Sequence, residues 1–151
     1  MPITVKGDNV LTQFQKIVKQ VDSPEIMRRL GNYLIGVIRE RTRGGRGVKR
    51  PGGNPSKLKS VTLPYAKWRE KQDRHEEAAT GRSSNLTFSG KMLDSMIVKR
   101  ATVSSIFIGF KTQKEENKAG YQEAQGRRFL VLSGKEIRGA TDFLMTQLSK
   151  R

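Results

Sequence analysis

Two short apolar segments near the middle of the chain constrain its fold more than any other feature. Residues 97–103 are rich in β-branched side chains, and residues 106–110 read Ile-Phe-Ile-Gly-Phe. Segments of this length and composition, separated by the pair Ser104-Ser105, predict an antiparallel β-hairpin with one well-buried face. The turn is a weak two-residue turn, because it lacks the glycine that such turns usually carry.

Helical periodicity surrounds the hairpin on both sides. The second helix has a strong start signal, because Ser23 can cap it and Pro24 suits its first turn. The last helix begins at Ser133 and Glu136, which form a capping box. A short helix capped by Ser89 places three apolar residues on one side, Met92, Leu93 and Met96. The longer helices are predicted over residues 8–21, 23–41, 62–79 and 133–149.

These elements predict an α+β fold. A small antiparallel sheet would pack against an N-terminal helical hairpin and a C-terminal helix, with residues 127–132 as a further strand and 111–118 as a polar connection. The length of 151 residues favours a single domain. Apolar residues make up only 34% of the chain, which predicts a modest core and much surface that a partner would order.

A strongly basic segment interrupts this pattern between residues 39 and 59. It holds many glycines, has no apolar periodicity and includes Glu40 as its one acid, so we predict an extended, flexible basic loop over residues 42–61. Three interpretations stay open: a solvated loop, a strap that orders on neighbouring subunits, and an arm that touches phosphate backbone. The segment lacks aromatic residues, which disfavours sequence-specific or single-strand reading. Its cations are Arg39, Arg41, Arg43, Arg46, Lys49, Arg50, Lys57 and Lys59.

The overall charge is as unusual as the segment. The chain has 30 Lys and Arg residues against 14 Asp and Glu, a formal charge of +16. Such an excess predicts salt-dependent attraction to nucleic acid or to acidic protein surfaces. The chain has no cysteine, which excludes disulfides and thiolate metal sites. Neither a signal peptide nor an apolar run of membrane-spanning length is present, so we expect a soluble protein made in the cytoplasm.

No catalytic or cofactor-binding motif is present, and we expect a non-enzymatic protein without cofactor or metal. His75, the one histidine, stands among charged residues and has no evident orienting partner. Trp68, the one tryptophan, either anchors the third helix on the core or serves as an interface anchor.

The order of elements in the second half of the chain resembles that of a family of tailed-phage proteins. The order begins with Leu86 to Met96 and the hairpin, continues with Tyr121 and Gly126, and ends with Arg128-Phe129-Leu130 before a final helix. These tailed-phage proteins are the virion morphogenesis proteins of the neck, which act in head–tail joining or tail completion. The chain is similar in this order of elements to the gene 10-like family of phage HK97 and to the Mu tail-completion group. The resemblance extends from about Leu11 to the C-terminus.

The resemblance implies a structural virion protein located in the neck, at the head-proximal end of the tail. It implies a homo-oligomeric ring, hexameric or alternatively dodecameric, that connects the head connector to the tail. Its expected partners are the head connector or adaptor, the tail terminator and the tail tube, with non-specific contact to DNA in the channel and no membrane. The alternative is a small basic nucleic-acid-binding protein.

Overall fold

A computed structural model of the chain describes residues 7–73, 78–87 and 90–150. Within these ranges it contains six helices and two separate antiparallel two-stranded sheets, β1–β2 and β3–β4. The predicted α+β class is therefore confirmed. In chain order the elements are α1 (Gly7–Val18), α2 (Pro24–Arg43), β1 (Arg46–Val48), β2 (Pro55–Lys57), α3 (Leu63–Glu70), α4 (Lys91–Asp94), β3 (Met96–Ala101), β4 (Ile106–Phe110), α5 (Gln113–Ala124) and α6 (Gly134–Ser149).

The predicted central hairpin forms, with β3 and β4 paired from Met96↔Phe110 to Ala101↔Ile106. The connection has four residues rather than two. Thr102 takes the place of the missing turn glycine, because its hydroxyl oxygen accepts hydrogen bonds from the backbone N–H groups of Ser104 and Ser105, at 3.3 and 3.0 Å.

One face of this hairpin lies against α2, at a point where the helix has no side chain. A Cβ atom on Gly31 would lie 2.5 Å from a methyl group of Val98. A glycine within a helix suggests close approach of another helix, and here it permits close approach of a strand instead. Gly36, the other glycine of α2, is exposed and has nothing near its Cβ position.

The core consists of two neighbouring clusters on either side of this contact. The first lies between the C-terminal half of α2, α4, β4 and α5 and includes the fully buried Phe129. The second joins α2 and α6, and α1 covers it while packing mainly on α6. The prediction that Met92, Leu93 and Met96 lie on one apolar side is consistent with the structure, in which all three are buried in the first cluster. Ser89, the predicted cap of α4, lies outside the described residues.

The basic segment is not the extended loop that the sequence predicted. Helix α2 continues to Arg43, and β1 and β2 form a short hairpin that docks on the body. The N–H of Val48 donates to the carbonyl of Arg128, the N–H of Gly52 donates to that of Leu132, and Leu58 is buried. Val48 and Leu58 are the two buried side chains between residues 44 and 59, and two such residues in a Gly- and Pro-rich segment give too weak a periodic signal to predict this docking.

Three further predictions are wrong in detail. Most of the predicted polar connection, from Gln113 on, belongs to helix α5, and residues 127–132 form no strand. The third helix ends at Glu70 rather than near residue 79, and residues 74–77, which include His75, lie outside the described part of the chain.

Candidate functional site

The eight basic residues predicted as one arm separate into two groups with different surroundings. Arg39, Arg41 and Arg43 lie on the last turns of α2 and bond to the body of the protein. The other five are exposed on the β1–β2 hairpin: Arg46, Lys49, Arg50, Lys57 and Lys59.

Arg39 holds the end of α4. Its guanidinium donates to the carbonyl oxygens of Leu93, Asp94 and Met96 at 2.7, 2.9 and 3.0 Å. Carbonyls at a helix C-terminus lack partners within the helix and carry partial negative charge, so a guanidinium there is stabilising. Arg39 is therefore a structural residue that fixes the start of β3.

Arg41 is the most enclosed of the eight. Its side chain is 8% exposed and lies 2.5 Å from the carboxylate of Glu136, which is also the capping-box residue of α6. It donates as well to the carbonyls of Val131 and Phe129. Burial lowers the pKa of Arg41 from its ordinary value, and the negative charge of Glu136 opposes that shift. These contacts remove Arg41 from any surface for DNA or a neighbouring subunit.

Arg43 pairs with Asp94 at the edge of the same region. The two side chains meet at 2.5 Å, but they are 31% and 57% exposed, so solvent screens the pair. The backbone carbonyl of Arg43 also accepts a hydrogen bond from the amide of Asn85. This contact connects α2 to the segment that precedes α4.

The five exposed cations and Arg128 form a surface that we call the cationic hairpin. Arg128 joins it because its guanidinium donates to the carbonyl of Lys49 at 2.7 Å. Arg46 lies directly opposite Lys57 in the sheet register, which places two like charges across one pair of strands. A cavity of about 340 Å³ lies beside Lys57, and no Asp or Glu is among its described lining residues. The cationic hairpin is thus a structured surface on which positive charge is concentrated.

A second surface, which sequence reasoning did not find, lies between α3 and α5. It is a groove of about 870 Å³ that we call the aromatic groove. Tyr65 and Tyr121 are exposed and line it, and its apolar part comes from Val61, Leu86 and Met92. The groove was missed because one of its walls, α5, was predicted as a polar connection, although Thr112 and Glu115 have the spacing of a helix start.

Trp68 lies beside this groove on α3. Its side chain is 49% exposed, and its ring stacks on that of Tyr65 with centroids 5.6 Å apart. The residue is thus not one of the buried core residues. Its role as an interface anchor stays a prediction.

Two further features of the described ranges concern metal binding and membrane insertion. No group of three or more His, Cys, Asp or Glu side chains there is arranged to hold a metal ion. None of the described helices combines the length and the apolar character that crossing a membrane requires.

Comparison of the chain with protein-family models, with curated proteins and with solved structures finds no match.

Proposed function

We propose that this protein is a non-enzymatic structural component of a tailed-phage virion, located in the neck. In this role copies of the chain form a homo-oligomeric ring that joins the head connector to the tail. The order of elements between Leu86 and Leu132, which resembles that of neck proteins, supports the choice of assembly. The ring would be hexameric, with a dodecamer as the alternative.

The observation that carries the proposal is that a small body exposes two surfaces of different chemistry. The cationic hairpin faces solvent, and so do large apolar side chains on several elements. Exposed aromatic residues beside polar ones are characteristic of protein interfaces. Those exposed residues are Leu63, Tyr65, Trp68, Val103, Phe107, Tyr121, Leu130 and Met145.

The docked hairpin changes how such a ring would assemble. An extended arm would incur an entropic cost on ordering, whereas a hairpin already bonded to residues 128 and 132 meets its partner without that cost. The hairpin therefore contributes as a fixed cationic surface, towards channel DNA or towards an acidic neighbouring ring.

Charge also bears on which partners the ring needs. Each copy carries a formal charge of +16, so a ring of identical copies would be opposed by its own electrostatic repulsion. DNA in the channel or acidic neck and tail proteins would supply the compensating negative charge. We therefore expect the ring to form more readily with these partners than alone.

The test uses the phage that encodes the chain. Purified virions should contain the protein, and a phage with the gene deleted should accumulate complete heads and complete tails that do not join. Electron microscopy of the deletion lysate separates these structures directly. Normal virions from the deletion phage, or particles that lack the protein, would reject the proposal.

A second candidate function is favoured by the cationic hairpin alone, namely that of a small basic nucleic-acid-binding protein. Such a protein would be absent from virions and would prefer particular DNA sequences at physiological salt. A neck protein would bind DNA without sequence preference, because its contacts are to phosphate.

A further inference from the structure

The aromatic groove between α3 and α5 has the features of a site for a peptide segment. Its volume of about 870 Å³ lies in the range of ligand-binding clefts, and its apolar residues are flanked by polar ones. Leu86, one of those apolar residues, has a φ of +56°. Such a conformation is unusual for a bulky residue and is maintained only where the surrounding structure fixes it.

Two cations that line the groove, Lys114 and Arg127, make no ion pair with the described residues. Arg127 is buried and donates to three neutral oxygens, the carbonyls of Lys59 and Ser60 and the side-chain oxygen of Gln122. Lys114 is exposed and makes no ion pair with the described residues. No Asp or Glu is among the described residues that line the groove. Its potential is therefore positive, and more so near Arg127, where burial reduces screening.

The chain itself has few acids to offer such a site. Five of its 14 acids form ion pairs among the described residues. A second copy fits poorly as well, because its exposed Phe107 is paired in register with Arg100, which would approach the cations of the groove. Because each copy of the chain carries a formal charge of +16, a different molecule is the better source of acidic groups. The residues paired internally are Glu25, Asp94, Glu115, Glu116 and Glu136.

From this combination we infer that the aromatic groove binds an acidic segment of another protein that inserts apolar side chains between Tyr65 and Tyr121. The apolar side chains would contact Val61, Leu86 and Met92, while the acidic groups would face Lys114 and Arg127. A single-stranded nucleic acid is the less suitable occupant. It needs a row of exposed cations along its backbone, and Lys114 is the one exposed cation among the described lining residues. Arg69 and Arg127 are buried, and Lys118 is half-buried and pairs with Glu115. The inference does not depend on the proposed role in the neck.

The test measures binding of short fluorescent synthetic peptides to the full chain by anisotropy. The probe peptide alternates acidic residues with Leu and Phe. One matched peptide has Gln in place of each acid, and a second has Ser in place of each apolar residue. We expect the probe to bind roughly tenfold more tightly than either matched peptide, because both kinds of contact contribute. Equal binding of the serine peptide would show attraction to the cationic hairpin alone and would overturn the inference.

Variants of exposed residues locate the site without disturbing the fold. Tyr121→Ala and Lys114→Glu should each weaken probe binding by about fivefold or more. Phe107→Ala and Lys19→Glu remove an exposed aromatic group and reverse an exposed charge away from the groove, so they should leave binding within about twofold. Equal losses in both pairs of variants would overturn the inference.

NMR mapping distinguishes a peptide from a single-stranded nucleic acid as the occupant of the groove. Backbone amide NMR shifts of the labelled chain should change on peptide addition at Tyr65, Leu86 and Tyr121 rather than on the cationic hairpin. An oligothymidylate should instead shift residues of the cationic hairpin. If the oligothymidylate perturbs the groove and the peptide does not, the groove is a nucleic-acid site and the inference is wrong. Failure of the virion test would leave these peptide results unchanged, so the two proposals fail separately.

Discussion

The guanidinium of Arg41 lies 2.5 Å from the carboxylate of Glu136, although 95 positions separate the two residues in the chain. The contact joins the last turn of α2 to the first turn of α6. Glu136 also accepts a hydrogen bond from the backbone N–H of Ser133 at 2.7 Å. One carboxylate therefore both caps a helix and neutralises an enclosed cation.

Replacing Arg41 should strongly destabilise the fold. Arg41→Ala leaves Glu136, which is 11% exposed, without its cation, and removal of one partner of a buried pair costs about 3–5 kcal/mol. Urea denaturation should show this loss in the free energy of unfolding. The matched control is Arg29→Ala, which breaks an exposed pair with Glu25 and should cost less than about 1 kcal/mol. Similar losses in the two variants would show that the Arg41 contact is not the stabilising one.

The two glycines of α2 should respond in opposite ways to alanine. Gly31→Ala places a methyl group against Val98 and should lower the free energy of unfolding by about 1–3 kcal/mol. Gly36→Ala adds a methyl group in open space, and its better helix propensity should stabilise the protein by up to about 1 kcal/mol. Thermal denaturation of both variants measures the difference. A gain in stability from both would mean that α2 and β3 separate easily.

The sequence predicted the helices and the central hairpin because their signals are local. Ser23 with Pro24, and Ser133 with Glu136, mark helix starts within four residues, and the apolar runs of β3 and β4 are adjacent. Such signals need no knowledge of distant partners. Helix α5 also has a local start signal at Thr112 and Glu115, but its mostly polar sequence has no clear apolar periodicity, and the helix was therefore missed.

The failures concern segments that bond to particular side chains or to distant parts of the chain rather than to a neighbouring strand. Residues 128–132 have the composition of a strand, but their backbone groups bond elsewhere. The N–H groups of Phe129 and Leu130 donate to the side chain of Glu123, and the carbonyl of Val131 accepts from Arg41. No periodic pattern encodes such side-chain partners. The same holds for three of the eight predicted basic site residues, which bond to groups of the body rather than form part of an exposed arm.

Arg46 and Lys57 provide a test of the β1–β2 register. Because like charges lie opposite each other, Lys57→Glu should raise the free energy of unfolding by about 0.2–1 kcal/mol. Arg46→Glu should have a similar effect, for the same reason. The double variant restores a like-charge pair and should lose both gains, which urea denaturation of all four proteins would show as a coupling energy. Additive gains in the double variant would contradict the register.

DNA binding by the cationic hairpin should depend on salt in proportion to the cations that touch phosphate. The slope of log affinity against log salt becomes shallower by about 0.9 for each cation removed from a phosphate. Replacing Lys49 and Lys59 by Gln should therefore make the slope shallower by about 0.9 for each of the two residues. Replacing Lys16 and Lys19 by Gln removes the same formal charge from exposed positions at α1 and should change the slope much less. Fluorescence titrations of a duplex at several salt concentrations measure both slopes. Equal changes in the two double variants would mean that DNA binding responds to net charge alone and that the hairpin is not a preferred contact for DNA.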